Sequence, residues 1–322
     1  MVEILERIEN GDYFKGMSTH LPTLRQLQYL IAVAEEGHFG RAAQRCFVTQ
    51  STLSAGIQEL EAILGVTVIE RTKRRVAVTP LGTELVARAR RVLAEVEDMT
   101  VTAKASTRPL TGLLRLGAIP TIGPYVLPKI LPPLRASYPE LRLFLREERT
   151  ARLVDQLVGG DLDAALIALP YDTADLEHAV LAEDPFWLAV PRDHALADSD
   201  APLSPDDLDA ADLLLLEDGH CLRDHVLSAC RRQPAPGRSG AFQATSLYTL
   251  VELVAGGFGT TLLPDIAVNS DHVRAADVVL RPLSGGAGRQ IALVWRRNSA
   301  RRSEYKLLGQ FLKNQLSPVP RG

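Results

Sequence analysis

Residues 24–65 read LRQLQYLIAVAEEGHFGRAAQRCFVTQSTLSAGIQELEAILG, and their apolar spacing predicts three consecutive helices. The first helix carries an apolar residue every three or four positions and stops at Gly37. The second is short and contains residues 41–47. Thr49 is suited to cap the N-terminus of the third helix, and Gly65 ends it.

Two short β-prone segments, residues 66–70 and 76–78, follow these helices, and a basic cluster separates them. This order is typical of a winged helix-turn-helix, whose last helix enters the DNA major groove while its wing lies beside the phosphates. An ordinary solvated helix face is the alternative. The DNA reading predicts contacts from the polar face of the third helix and from the tip of the wing: Gln50, Ser51, Thr52, Ser54, Gln58, Lys73, Arg74 and Arg75.

Composition narrows the class of protein. The chain has 322 residues, 46 % of them hydrophobic, which is enough for more than one buried core. Its net charge is −3, yet residues 17–108 hold twelve Lys and Arg against nine Asp and Glu, so a polyanion contact is expected near the N-terminus.

No apolar run reaches the roughly 20 residues of a membrane span. Three cysteines fit a reducing compartment, and we expect a cytoplasmic protein without a membrane partner.

Thr79 and Pro80 predict the start of a long helix that reaches about residue 107. Its apolar residues alternate spacings of four and three, which is the pattern of a coiled-coil seam. An amphipathic helix packed on its own domain is the alternative, and we favour dimerisation through this seam. The seam residues are Leu85, Ala89, Val92, Val96, Met99 and Ala103.

Beyond Gly112, strand-like and helix-like segments alternate, which favours open α/β layers with a ligand crevice between two lobes. Helices are expected at 153–158, 246–255 and 304–314. Strands are expected at 113–117, 141–146, 164–169, 187–190, 213–216, 260–263 and 291–295.

The segment from LRQLQYLIAVAEEG to RRVAVTPLG, covering nearly all of residues 20–82, resembles the DNA-binding domain of LysR-type transcriptional regulators. The resemblance implies a bacterial homotetramer, built as a dimer of dimers, that binds double-stranded promoter DNA, and RNA polymerase if it is an activator. It implies a winged helix-turn-helix, a long linker helix and a two-lobed α/β effector domain similar to periplasmic binding proteins. The expected boundaries are a flexible extension at 1–18, the DNA-binding domain at 19–79, the linker at 80–108, lobe I at 109–183 with 292–322, and lobe II at 184–291.

Within this family, LLLLEDGHCLRDHVLSAC resembles a branch that senses hydrogen peroxide, as do ATSLYTLVELVAGGFGTTLLP and IPTIGPYVLP. The resemblance implies a peroxide-reactive cysteine at Cys221 and a resolving cysteine at Cys230. It also implies a peroxide-binding set of Thr121, Thr150, His220 and Arg289. Relatives can carry a histidine where this chain has Ala241.

The residues around Cys221 suit peroxide chemistry without reference to the family. Only a thiolate attacks peroxide, and Cys221 opens a predicted helix whose N-terminal N–H groups favour the anion. If residues 221–230 are helical, nine steps separate the two Cα atoms by roughly 13–14 Å. A disulfide tolerates about 7 Å, so bond formation requires this segment to unwind.

Other functions are weighed against peroxide sensing. A LysR-type regulator with a small organic effector between its lobes is one alternative, and a thiol peroxidase is another. We expect no enzyme turnover and no cofactor. No metal is expected either, because His220 and Cys221 are adjacent and no second metal-binding pair accompanies them. Cys46 is interpreted as core packing.

Overall fold

The computed structural model describes residues 21–71, 76–105, 109–173, 176–198, 203–205, 213–230 and 244–316. The chain divides into two compact units after Val96. Among the described residues, no helix is both long enough and apolar enough to cross a membrane.

The N-terminal unit is a winged helix-turn-helix. Its strands β1 and β2 pair antiparallel, with Ile69 opposite Val78. The elements are α1 (Leu24–Glu36), α2 (Phe39–Arg45), α3 (Gln50–Leu64), β1 (Ile69–Arg71), β2 (Val76–Val78) and the start of α4 (Pro80–Ala105).

Local signals position these helices. Thr23 and Gln26 form a reciprocal capping box at α1, and the Thr49 hydroxyl accepts a hydrogen bond from the Thr52 N–H at α3. Gly37 and Gly65 end α1 and α3 in the left-handed conformation that glycine adopts without strain. The helices enclose a core that includes Tyr29, Leu30, Val33, Leu53, Ile57, Leu60 and Val68.

The apolar seam of α4 has two environments. Leu85 and Ala89 pack against the core of the N-terminal unit, whereas Val92 is 45 % exposed and Met99 is 70 % exposed. The first part of the seam therefore packs against its own domain, as the alternative of an amphipathic helix predicted. The second part leaves apolar surface available, and dimerisation through it stays a prediction.

The C-terminal unit is built on a mixed sheet of seven strands. Strands β3, β4 and β5 are parallel, while β9 runs antiparallel to both β5 and β6. The strands are β3 (Gly112–Ala118), β4 (Leu141–Glu147), β5 (Ala164–Leu169), β6 (Leu176–Pro191), β7 (Thr261–Pro264), β8 (Val278–Pro282) and β9 (Gly288–Arg296). The helices are α5 (Gly123–Ser137), α6 (Thr150–Gly159), α7 (Cys221–Ala229), α8 (Leu247–Ala255), α9 (Asp265–Val268), α10 (Asp271–Ala275) and α11 (Arg302–Leu316).

Two separate cores make this unit two-lobed. The long strand β6 contributes to both cores, so the chain passes from the first core to the second along β6, and β9 then returns the chain to the first core. The first core includes Leu116, Ile130, Leu153, Ile167, Leu293, Trp295 and Tyr305. The second core includes Phe186, Leu188, Val226, Leu250, Val254 and Leu262. The α/β two-lobed fold is as expected, while the lobe boundaries at 183/184 and 291/292 stay predictions.

Some expected elements differ from the structure. Residues 213–216 form only isolated bridges, Leu213 to Thr260 and Leu216 to Ala244, so the expected strand there was wrong. Strand β8 was not among the expected strands, and β6 begins eleven residues before the expected strand at 187. Helix α5 forms although Pro128, Pro132 and Pro133 lie inside it.

Candidate functional site

The C-terminal ends of parallel strands bring the expected peroxide-binding residues together. Thr121 follows β3, and Thr150 follows β4 as the first residue of α6. Pro170 follows β5. In an open α/β sheet, side chains at this edge converge on one crevice.

Arg289 on β9 is the central cation of the site. Its guanidinium is fully buried and donates from Nε to Asp184 Oδ2 at 2.8 Å. Nη1 donates to Thr121 Oγ1 at 2.9 Å, and Nη2 donates to the Thr121 carbonyl at 3.0 Å. The Thr121 hydroxyl accepts here, so its own hydrogen is available to point elsewhere. Thr121 does not cap α5, whose N-cap Ile122 makes no side-chain capping bond.

Cys221 is the first residue of α7 and is 8 % exposed. Burial raises the pKa of its thiol, while the nearby Thr150 hydroxyl and the charge of Arg289 act to lower it. The Thr150 hydroxyl oxygen is itself buried and makes no well-formed hydrogen bond among the described residues. Cys221 thus rests as a thiol beside groups that favour its anion.

The loop before Cys221 is held by Arg149 at the N-terminus of α6. Arg149 forms an ion pair with Glu217 and donates from Nη1 to the Asp218 carbonyl at 3.2 Å. Gly219 has φ +91°, and an added Cβ would lie 3.0 Å from Arg149 Nη1. Both the turn and the close approach of Arg149 therefore favour glycine at this position.

His220 is buried at the N-cap of α7, with Nε2 3.7 Å from Glu217 Oε1. Burial lowers the pKa of His220, and Arg149 lowers it further, while Glu217 raises it. A neutral imidazole beside Cys221 follows from this environment.

Helix α7 spans the boundary between the two cores. Cys221 packs in the first core, while Leu222, Val226 and Cys230 pack in the second. Cys230 follows the last helical residue and is 3 % exposed. Nine helical steps place the two Cα atoms roughly 13–14 Å apart, beyond the reach of a disulfide. No disulfide joins the two cysteines in this structure.

Sequence reasoning gave no role in the site to three residues that shape it: Asp184, Arg149 and His225. Asp184 lies on β6, 105 positions from Arg289, and no local pattern connects them. Burial raises the pKa of the Asp184 carboxyl, opposed by Arg289 and by the Ile266 N–H. His225 shares the buried face of α7 with Cys221, and the four-residue spacing was the available signal.

A cavity of about 630 Å³ adjoins this cluster, and Arg289 is part of its wall. This volume is far larger than hydrogen peroxide needs and lies within the range of small-molecule pockets. Its other walls come from the segment after β5 and from strands β6 and β9, and include Pro170, Tyr171, His178, Glu183, Pro185 and Gln290.

The expected DNA-contacting residues of α3 lie on its outer face. Gln50, Ser51, Thr52 and Gln58 are exposed, and Ser54 is half-buried. Leu53, Ile57 and Leu60 are buried, so the expected DNA-contacting side chains lie on the opposite side of the helix, and their contact with DNA stays a prediction. Lys73, Arg74 and Arg75, which were expected at the tip of the wing, lie outside the described residues, as does Ala241.

The remaining expectations concern metal and Cys46. Within the described ranges, no group of three or more His, Cys, Asp or Glu side chains is placed to hold a metal ion. Cys46 follows α2 and is half-buried against the core of the N-terminal unit, where burial raises the pKa of its thiol.

Fold and site together define a regulator with a DNA-reading unit and an effector unit. Residues 24–92 match the bacterial regulatory helix-turn-helix protein, lysR family, and residues 107–317 match the LysR substrate binding domain. The chain therefore belongs to the LysR family of transcriptional regulators.

Individual relatives cover most of the chain. The HTH-type transcriptional regulator EstR of Acinetobacter baylyi is 43 % identical over 296 residues, covering 91 % of this chain and 97 % of that protein. The hydrogen peroxide-inducible genes activator of Dickeya chrysanthemi is 40 % identical over 293 residues, covering 91 % and 95 %. A full-length OxyR variant from Pseudomonas aeruginosa has a similar structure, with a TM-score of 0.75 and 38 % identity, covering 91 % and 98 %.

Proposed function

We propose that this LysR-type regulator senses hydrogen peroxide through oxidation of Cys221 to a sulfenic acid, followed by disulfide formation with Cys230. One observation carries the proposal: a buried cysteine opens α7 beside Thr150 and the Arg289–Thr121 pair, and a second buried cysteine ends the same helix in the other core. The peroxide-inducible activator of Dickeya chrysanthemi and the OxyR structure of Pseudomonas aeruginosa support it by similarity.

Each residue of the set has a chemical task in this proposal. The Thr150 hydroxyl and Arg289 favour the Cys221 thiolate, which attacks one peroxide oxygen. The leaving oxygen develops negative charge, and Thr121, with its hydrogen free to donate, supplies a hydrogen bond there together with Arg289. His220 directly precedes Cys221 and is buried at the N-cap of α7. Peroxide offers little surface for binding, so selectivity comes from this transition-state stabilisation.

Resolution requires α7 to unwind, because helical spacing separates the cysteines by roughly 13–14 Å. Cys221 packs in the first core and Cys230 in the second, so the disulfide pulls apart packing in both lobes. Oxidation thereby exchanges one local structure for another, which converts a chemical event into a conformational signal. A regulator whose thiol reacts once with peroxide can use this conformational change as its output, whereas an enzyme with repeated turnover does not need it.

The output of this signal is a change in promoter binding. The polar face of α3, with the wing-tip residues Lys73, Arg74 and Arg75, contacts double-stranded DNA in this proposal. The exposed part of the α4 seam pairs two chains, and effector units pair dimers into a homotetramer. RNA polymerase is the further partner if the oxidised form activates transcription.

The decisive experiment compares reduced and peroxide-treated full-length protein in footprints on promoter DNA, alongside Cys221→Ser and Cys230→Ser. We expect peroxide to change the footprint of the parent and of neither variant. Mass spectrometry after dimedone trapping should find sulfenic acid on Cys221 of Cys230→Ser. Dimedone on Cys230 of the parent, with Cys221 unmodified, would reverse the assignment.

A second candidate function is a response to a small organic effector, which the cavity of about 630 Å³ favours. EstR, at 43 % identity, is a transcriptional regulator whose name specifies no peroxide. The same footprints separate the two functions. Two results together would favour the organic effector. Peroxide would leave the footprint of the parent unchanged, and a cell extract would still change the footprint of Cys221→Ser.

A further inference from the structure

His225 is a buried ionisable residue to which the mechanism above gives no task. It follows Cys221 by four positions on α7, so one helical turn places both side chains on the same face. Both are buried, His225 with 7 % of its surface exposed. The inference drawn here rests on the proposed peroxide chemistry and extends it to the proton of the thiol.

The hydrogen bonding of His225 identifies its tautomer. Nε2 lies 2.8 Å from the Pro170 carbonyl oxygen, which can only accept a hydrogen bond. Nε2 therefore carries the hydrogen, and Nδ1 of the neutral ring is left with a lone pair. Nδ1 is buried and has no hydrogen-bond partner among the described residues. An unused proton acceptor thus sits one turn from a thiol that must lose its proton.

We propose that His225 Nδ1 accepts the Cys221 proton during attack on hydrogen peroxide and returns it to the departing oxygen. In this step the S–H bond breaks and the proton moves to Nδ1, while the sulfur lone pair forms a bond to the nearer peroxide oxygen. The O–O bond breaks, and the leaving hydroxide takes the proton from Nδ1 to become water. Sulfur is oxidised by two electrons to the sulfenic acid, peroxide is reduced, and His225 ends neutral as it began.

The charges around His225 fit a transient carrier of a proton. Arg289 on β9 lies near both Cys221 and His225, and Asp224 is the charged neighbour on α7 itself. Burial lowers the pKa of His225 and Arg289 lowers it further, while the Pro170 carbonyl and Asp224 raise it. The ring is therefore neutral at rest, with Nδ1 able to accept, and a proton placed on it is readily passed on. Because burial raises the pKa of Cys221, the thiol needs such an acceptor near neutral pH.

Two substitutions separate this role from simple anchoring of α7. His225→Gln keeps an N–H near the Nε2 position for the Pro170 carbonyl but cannot hold a proton. His225→Asn keeps an oxygen near the Nδ1 position but no longer reaches the Pro170 carbonyl. His272→Gln on α10 is the matched control, because His272 is half-buried in the second lobe and bonds to the Tyr248 carbonyl instead.

Stopped-flow rates of peroxide consumption by the reduced full-length proteins between pH 6 and 9 test the proposal. Both His225 variants should react at least about 100 times more slowly than the parent at pH 7, since general acid–base groups contribute about 10²–10⁴. The difference should shrink as pH rises, because solvent hydroxide then ionises the thiol directly. His272→Gln should match the parent at every pH.

Other outcomes overturn the role of His225. A His225→Gln protein as fast as the parent, with His225→Asn slow, makes the residue an anchor for Pro170 only. A reduction of rate that is the same at every pH also contradicts proton transfer. Circular dichroism and thermal melting identify a variant that fails to fold, and the other variant then carries the test. A parent that consumes no peroxide overturns the proposed function itself.

Discussion

At the scale of single residues, the site is organised by Arg289, whose guanidinium is shared between Asp184 and Thr121. Removing Asp184 would leave a buried charge unpaired, which typically costs about 3–5 kcal/mol of folding free energy. Substitution of Asp184 or Arg289 therefore confounds stability with chemistry. Thr121 offers a cleaner test, because Arg289 keeps the Thr121 carbonyl and Asp184 when only the hydroxyl is removed.

Thr121→Val should slow oxidation of Cys221 by a factor of about 10–1,000 while the fold remains intact. Valine preserves the shape of the side chain and removes one hydrogen-bond donor to the developing anion, a change that typically costs 10²–10³ in rate. Stopped-flow measurement of the second-order rate with peroxide gives the answer. Thr260→Val, at a buried threonine of the second lobe, is the control and should retain the parental rate. A Thr121→Val protein with the parental rate would leave Thr121 as a partner of Arg289 only.

Buried histidines at α7 make the stability of the effector unit sensitive to acid. Burial lowers the pKa of His220 and of His225 below the ordinary histidine value of 6.5. Below pH 6.5 the unfolded chain therefore binds more protons than the folded chain, so the free energy of unfolding falls as pH falls. Each histidine contributes up to about 1.4 kcal/mol for each pH unit in this window.

Urea unfolding of the reduced full-length protein between pH 7.5 and 5.5 measures this effect. Trp187 and Trp295 are the two tryptophans of the chain and both lie in the effector unit, so their fluorescence reports that unit alone. The parent should lose more stability than His225→Gln over this interval, and the contributions of Asp184 and other acids cancel in the comparison. Parallel pH dependences in the two proteins would contradict the linkage at His225.

At the scale of elements, helix α4 illustrates how one apolar seam serves two purposes. Its first part closes the core of the N-terminal unit, and its second part exposes Val92 and Met99.

Glutamate at both Val92 and Val96 should dissociate the dimer and weaken DNA binding, because like charges would face each other across the seam. Light scattering with gel filtration measures the assembly. Arg91→Glu introduces the same charge at an exposed position outside the seam and should leave the dimer intact; dissociation by this control as well would argue against the coiled coil.

Elements specified by local signals were predictable, and those specified by distant partners were not. Thr23, Gly37 and Gly65 cap α1 and α3, which is why these helices begin and end close to the expected residues. The apolar run at 213–216 resembled a strand, yet its hydrogen bonds go to Thr260 and Ala244 as single bridges. That outcome depends on residues about 30–50 positions away, which no local pattern reveals.

The same division holds within the site. The position of Cys221 at the start of α7 followed from its own neighbours, and the structure places it there. The Arg289–Asp184 pair joins residues 105 positions apart across two antiparallel strands, and only the register of β6 with β9 brings them together. The resemblance to peroxide sensors named Arg289 but gave no partner for it. Physical reasoning from sequence therefore reached the thiol and not the network that holds its surroundings.

At the scale of the whole molecule, DNA contact and peroxide chemistry are assigned to different compact units, which divide after Val96. Substitutions in one unit should therefore affect one measurement and spare the other. Replacing Lys73, Arg74 and Arg75 together with alanine removes three cations from the segment between β1 and β2. Binding should weaken on specific and non-specific DNA alike, and the slope of log K against log salt should become shallower by about 0.9 for each phosphate that is no longer neutralised.

Fluorescence anisotropy titrations of reduced protein from 50 to 200 mM salt measure that slope, and stopped-flow kinetics measure Cys221 oxidation in the same preparations. The wing variant should keep the parental oxidation rate, and Thr121→Val should keep the parental salt slope in its reduced form. This double separation distinguishes weakened phosphate binding from general damage, since an unfolded or misassembled variant fails both assays. An unchanged salt slope in the wing variant would remove the wing from the DNA interface. It would leave α3 to supply the contacts through Gln50, Ser51, Thr52, Ser54 and Gln58, whose uncharged side chains read base edges without releasing counterions.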